Sequence, residues 1–220
     1  MKNIIIFGAG GHSKVIVDII EKLEKYNIVG IVDKYKCKGE LFFDYKIIGI
    51  EEEIDMLMND YNIQCGVIGV GDNSIRKKVF ETVSRKYPRF NFETLIHPKS
   101  NIGIGVKLGD GSVVMSGVSI NANTTIGNHC IINTNSSVDH DCNLGNYVSL
   151  APNSAVGGNV NIGNYSFLGM GSNVLHNITI GKNNVIGASS LVVKDIGDFV
   201  LGYGVPFKKV RKVNLNEKYL

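Results

Sequence analysis

Three groups of residues in this chain have side chains or spacing that could do chemistry. The first is the histidines: His12, His97, His129, His140 and His176. An imidazole gains and loses a proton near neutral pH, so each is a candidate general base. The second is the cysteines, Cys37, Cys65, Cys130 and Cys142. They show no CxxC spacing, which argues against a zinc site or a dithiol redox pair. The third is the turn Gly8-Ala9-Gly10-Gly11-His12, which follows the apolar run Asn3–Phe7 and opens a helical pattern. Glycines beside a helix N-terminus attract phosphate. The turn is not a full GxGxxG, because Ser13 holds the sixth position. Asp33 closes the run Ile28–Val32, where a dinucleotide site would carry its ribose-binding acid. NAD binding is therefore a rival reading. It is disfavoured because this half is too short for a full doubly wound fold.

The elements that must position these residues follow two grammars. Residues 1–97 alternate strands with helices: strands at Asn3–Phe7, Ile28–Val32, Cys65–Val70 and Phe92–Ile96, and helices over residues 13–25, Glu51–Tyr61 and Asn73–Lys86. Such alternation predicts a small α/β, Rossmann-like domain with a parallel sheet and helices on both faces. From Ile102 to Val192, every sixth residue is Ile, Leu or Val, without insertion. A glycine often follows directly, and two positions earlier the side chain is mostly small. Neither a helix nor a hairpin meander has this period. A hexapeptide repeat is the mark of a parallel β-helix. The segments LGDG at 108, IGNH at 126, LGNY at 144, IGNY at 162 and IGKN at 180 recur every 18 residues. One coil is therefore three hexads, and the cross-section is triangular. The expected domains are 1–97, the β-helix over 98–203, and a C-terminal tail over 204–220.

Within that repeat His140 falls at a hexad end, where the chain bends. Its neighbours one coil away are Ala122 and Gly158. They would leave room beside the imidazole for a ligand, although a polar turn residue fits the spacing too. Asp141 stands in a column of Asn and Asp (Asn123, Asp141, Asn159, Asn177 and Asp195), and a simple turn residue fits that column too. His176 lies two coils from His140, about 9–10 Å along the axis. That is too far for two nitrogens on one metal, so no metal is expected. His129 reads as a surface residue and His97 as a structural one.

Composition limits the rest. The chain has 220 residues, a net charge of +3, 26 glycines and no tryptophan. The one basic cluster, Lys208, Lys209, Arg211 and Lys212, has no aromatic stacking partners, so nucleic acid is not an expected partner. No apolar run reaches the ~20 residues of a membrane helix, and the start does not resemble a signal peptide. The expected setting is cytoplasmic, with free thiols and without membrane insertion.

Five segments, in order and spacing, carry a resemblance: IFGAGGHSKV at 6–15, VGDNSIRKK at 70–78, LIHPKSNIG at 95–103, NTNSSVDHDCNLGNYVSLAP at 133–152 and GYGVPFKK at 202–209. Together they resemble the NeuD/PglD group of hexapeptide-repeat acyltransferases, and the resemblance covers almost the whole chain. It implies a left-handed β-helix, a homotrimer, and acetyl transfer from acetyl-CoA to the amino group of a nucleotide-linked amino sugar, for surface glycan biosynthesis. It further implies His140 as general base, Asp141 as the acid that orients it, and the Gly158 N–H near the thioester oxygen. Ser149 stands where many members have a second histidine, and many members have Glu where this chain has Asp141. Met170 and Ala188 fall on the stretch expected to line the CoA arm, and Lys208 or Lys209 near its phosphates. The small domain would hold the nucleotide through Gly10, Gly11, His12, Asp33, Lys34 and Gly71. Two other readings remain at this level: an O-acetyltransferase acting on sialic acid or another sugar hydroxyl, and a non-catalytic trimeric scaffold or nucleotide-sugar sensor.

Overall fold

The structure, a computed structural model, describes residues 1–214. They fall into two compact units, Met1–Leu95 and the residues from Ile96 onward. Alternation in the first unit resolves into β1 (Lys2–Phe7), α1 (Gly11–Leu23), β2 (Tyr26–Val32), β3 (Leu41–Phe42), β4 (Tyr45–Gly49), α2 (Ile54–Asp60), β5 (Cys65–Ile68) and α3 (Asn73–Lys86). The sheet order is β3-β4-β2-β1-β5, parallel except for the β3–β4 hairpin. β1 is an interior strand between β2 and β5, and Ile4–Phe7 are fully buried. Ile5 and Phe7 pack with Leu57 of α2 and Val79 and Val83 of α3. Ser13 of α1 and Ile6 meet at Gly69, on the opposite face. Parallel order brings the turns after β1, β2 and β5 to one edge of the sheet, the usual place for a ligand in such folds.

Two details differ from the sequence reading. The β3–β4 hairpin is additional; its strands are too short to show a period, and its turn residue Phe43 has φ +52°. The expected strand Phe92–Ile96 is divided. Phe92 bridges Gly66 alone, and only Leu95–Ile96 joins a ladder.

In the second unit, strands of two residues stack in three parallel sheets. Ser137 pairs with Ala155 and Asn143 with Asn161, 18 residues on in each case. The aliphatic column points inward, with Ile120, Ile126, Ile132, Val138, Leu144 and Leu150 almost fully buried. Each coil turns at three corners. The first follows strands such as Ser137–Val138, the second Asn143–Leu144, the third Ser149–Leu150. One residue of every corner has a positive φ, at every sixth position from Gly105 to Ser189. Glycine occupies four of these positions (Gly105, Gly111, Gly117 and Gly171), and Asn most of the others. Both residue types tolerate the left-handed region.

Small side chains inside the corners tie one coil to the next. Thr124 Oγ1 donates to the Asp139 carbonyl at 2.7 Å and accepts from Cys142 N–H at 3.1 Å. Cys142 Sγ in turn lies 3.1 Å from the Gly157 carbonyl. Exact superposition of corners also corrects the reading of His129. It is 3% exposed rather than on the surface. Its ring stacks on Tyr147 at 5.2 Å, and Tyr147 stacks on Tyr165 at 5.1 Å.

The 18-residue register holds through Val174 and Val192. Ile196 then bridges Ile180 and Leu201 pairs with Val185, so the last coil is two residues shorter. An antiparallel hairpin, Val200–Tyr203 with Lys208–Lys212, closes this end. The basic segment expected as tail is thus a strand; 215–220 lie outside the described residues. Leu150→Ala removes a fully buried side chain from the column. It should cost about 2–5 kcal/mol in denaturant unfolding; a loss below about 1 kcal/mol would mean that the column is not close-packed.

Candidate active site

His140 and Asp141 sit together on a first corner. Successive residues of an extended strand point to opposite sides. Asp141 has φ +56°, and this left-handed turn brings its carboxylate round to its neighbour. His140 Nδ1 lies 2.8 Å from Asp141 Oδ2. An Nδ1–H donated to that carboxylate leaves the Nε2 lone pair free to take a proton.

Nε2 faces the next coil. A Cβ built on Gly158 would lie 2.8 Å from both Cε1 and Nε2 of His140. The glycine therefore makes space for the imidazole itself, which sharpens the sequence reading: the gap in the column is filled by the ring. Gly158 carbonyl accepts from Asn177 N–H at 2.9 Å and so belongs to the coil-to-coil ladder.

The His140 pKa is raised above the ordinary histidine value, first by the hydrogen bond to Asp141 and then by the charge of Asp139. Both side chains of the pair are about half exposed, at 51% and 49%, so solvent screens part of their attraction. A raised pKa favours the imidazolium, and the free base grows as pH rises through it.

The other candidate residues divide by location. Met170 and Ala188 lie one coil apart on the third corner, joined by the bond from Ser189 N–H to Met170 carbonyl at 2.8 Å. Both are exposed. Ser149 lies on the sheet leading to that corner and is 4% exposed. Lys208 and Lys209 line a groove of about 560 Å³ with Lys194, Asp195 and Phe207. Lys194 continues the column His140, Gly158, His176. Within one chain, Lys208 therefore shares a side with the histidine, while Met170 and Ala188 stand a whole face away. Lys194 was not singled out from the sequence, because the hairpin that faces it was not foreseen.

In the first unit, α1 begins at Gly11 with Gly10 as its cap and no side-chain capping bond. A Cβ on either glycine would meet nothing within 4 Å, so the space before the helix is open. Asp33 pins this turn: Oδ2 accepts Ala9 N–H at 2.7 Å, and Oδ1 accepts Tyr35 N–H at 2.8 Å. Lys34 approaches Glu52 at 3.9 Å. The Gly71 carbonyl is held by Arg76 Nη1 at 2.8 Å. His12 is partly accessible, but its Nε2 is buried without a hydrogen-bond partner. Burial, and then the Arg76 charge, push its pKa down to about 3, so this imidazole is neutral. Ala9, Lys14, Lys36, Leu41, Phe42 and Phe43 line a groove of about 360 Å³ beside the turn. The sequence signalled Gly10, Gly11, His12, Asp33, Lys34 and Gly71 but not Lys14, Lys36 or Phe43, which border the groove beside the unforeseen hairpin. Among the described residues, no group of three or more His, Cys, Asp or Glu is placed to hold a metal ion. No helix among them is long and apolar enough to cross a membrane.

An α/β unit followed by hexapeptide coils, with a histidine–carboxylate pair on one corner, defines a hexapeptide-repeat transferase. The family profiles agree: "PglD N-terminal domain" matches residues 3–83, and "Bacterial transferase hexapeptide (six repeats)" matches 159–194. A histidine-to-asparagine mutant of perosamine N-acetyltransferase from Caulobacter crescentus, solved with CoA and GDP-perosamine, superposes with a TM-score of 0.89 at 34% identity, covering 96% of this chain and 98% of that one. The acetyltransferase domain of PglB from Neisseria gonorrhoeae, solved with acetyl coenzyme A, gives 0.85 at 30% identity, covering 95% and 99%. A curated relative, UDP-N-acetylbacillosamine N-acetyltransferase from Bacillus subtilis, is 33% identical over 53% of this chain; the match spans 52% of that protein's length. The chain belongs to the NeuD/PglD-like family of hexapeptide-repeat sugar acetyltransferases, and its coil is the left-handed parallel β-helix of that family.

Asp141→Asn keeps an acceptor near His140 and removes the charge. The lower-pH limb of the rate profile should move to lower pH, because the imidazole then loses its proton more readily. An unmoved limb would show that Asp141 does not set the protonation of the rate-determining group.

Proposed function

We propose that this protein transfers the acetyl group of acetyl-CoA to the amino group of a nucleotide-linked amino sugar. One observation carries the reading: His140 is held at Nδ1 by Asp141 and presents Nε2 at the Gly158 niche. A thioester is already activated, so the transfer needs mainly a base for the amine and a donor for the carbonyl oxygen. The amine nitrogen attacks the thioester carbon, a C–N bond forms and the C–S bond breaks. The amine's proton passes to His140 Nε2, and the imidazolium gives a proton to the departing thiolate, which regenerates the neutral base. The Gly158 N–H is the proposed donor to the carbonyl oxygen.

The small domain holds the nucleotide at the open glycine turn, with Gly10 and Gly11 giving close backbone approach. Asp33 and the neutral His12 shape that turn, and Lys34 and Gly71 flank it. Met170, Ala188, Ser149 and Lys208 serve CoA. Because the histidine corner and the third corner are separated by a face, the site is completed between copies, as a homotrimer provides. The relatives solved with CoA and GDP-perosamine, or with acetyl coenzyme A, support the substrate class. The four free cysteines fit a cytoplasmic setting.

The test is CoA release with a panel of nucleotide-linked amino sugars as acceptors. His140→Ala should lower kcat by about a hundredfold or more, with a far smaller effect on KM for acetyl-CoA. Turnover near that of the unmodified enzyme would remove His140 from the mechanism.

A further inference from the structure

His140 is held not only by its ring. Its backbone N–H donates to Asp139 Oδ1 at 2.9 Å. The same oxygen accepts Asn121 Nδ2 at 2.7 Å, from the equivalent position one coil earlier. The equivalents of Asp139 in the next three coils are Gly157, Leu175 and Val193, none of which carries an acceptor side chain. At this corner a carboxylate joins the histidine's own peptide to the adjacent coil. The corner is otherwise shaped by Thr124 and Cys142, which bind carbonyl groups and leave the His140 N–H alone.

We propose that Asp139 is a positioning residue for His140, fixing the peptide of the catalytic corner against Asn121 of the preceding coil. This rests on the reading of His140 as the base. Two hydrogen bonds at one carboxylate oxygen restrict the rotation of the peptide that carries the imidazole, and so the direction in which Nε2 points. The charge acts as well. Asn121 and the His140 N–H hold the Asp139 carboxyl below its usual range, so it is ionised wherever the enzyme would be assayed. Its negative charge adds to that of Asp141 in favouring the imidazolium. Gly158 lies against the ring, the other equivalent corner positions one coil away are also uncharged (Ala122 and Asn123 before, Asn159 after), and the Cys142 thiol lies at the His140 carbonyl.

The experiment uses the full chain with histidine-selective isotope labelling. The His140 titration is followed by NMR, and kcat against pH is measured in parallel, for Asp139→Asn, Asp139→Ala and Asn121→Ala. Asp139→Asn keeps an acceptor and loses the charge; the His140 titration and the rate limb should move together to lower pH. Asp139→Ala should also lower the plateau kcat by about tenfold, with KM for acetyl-CoA within about twofold. Asn121→Ala, which removes one of the two bonds, should give a smaller loss of kcat, and it carries the test should Asp139→Ala not fold. An unmoved His140 titration in Asp139→Asn, or an unchanged plateau in both alanine variants, overturns the proposal. A titration that moves while the rate limb stays overturns instead the assignment of His140 as base.

Discussion

One constraint runs through the second unit: the backbone must enter the left-handed region once at every corner. Without that turn the two-residue strands could not close a coil of 18 residues, and the aliphatic column could not stack. For residues other than glycine the conformation is unfavourable by roughly 1–2 kcal/mol. Asn, Asp and Gly reduce that cost and recur at these positions. The stack then compensates collectively, because each coil buries its column against the next. Asp141 is one of these corner residues. The same φ that closes its coil turns its carboxylate back to His140. The candidate catalytic pair is thus a consequence of the coil geometry, with Asp at a position that Asn could have filled.

The same repetition explains the surroundings of the pair. Equivalent corners superpose, so what a ring meets is decided by the residue one coil away. On the second corner that neighbour is another ring, and His129 is buried in a stack with Tyr147. On the first corner the neighbour is Gly158, and the imidazole of His140 fits against it with its side chain about half exposed. Two histidines in corners of one helix thus have opposite characters. His129 is enclosed, whereas His140 remains half exposed and lies between carboxylates.

This difference marks what could be read from residue types alone. The hexads were legible because inward positions admit only aliphatic side chains, and the 18-residue register was legible from the segments LGDG, IGNH, LGNY, IGNY and IGKN that recur at that spacing. The candidate pair was legible as a motif, but its contact was not, since adjacency in sequence usually separates side chains. The burial of His129 depended on knowing that Tyr147 shares its orientation. The β3–β4 hairpin and the hairpin that closes the coil left no periodic trace, because their strands are short or follow a break in the repeat. Consequently Lys36, Phe43 and Lys194 were not foreseen as groove residues. Asp33 was legible by position, yet its bonds to Ala9 of the glycine turn and to Tyr35 depend on the fold.

Chemical rescue would test the role of His140 most directly. The His140→Ala enzyme, shown to be folded and to bind acetyl-CoA, is assayed with increasing imidazole and with substituted imidazoles of different pKa. The corner beside Gly158 would then have room for a small base. The expected result is a turnover that rises with imidazole concentration and varies systematically with the basicity of the rescuing amine. A variant that binds acetyl-CoA, remains inactive at every imidazole concentration and responds to none of the analogues would contradict proton transfer to His140 Nε2.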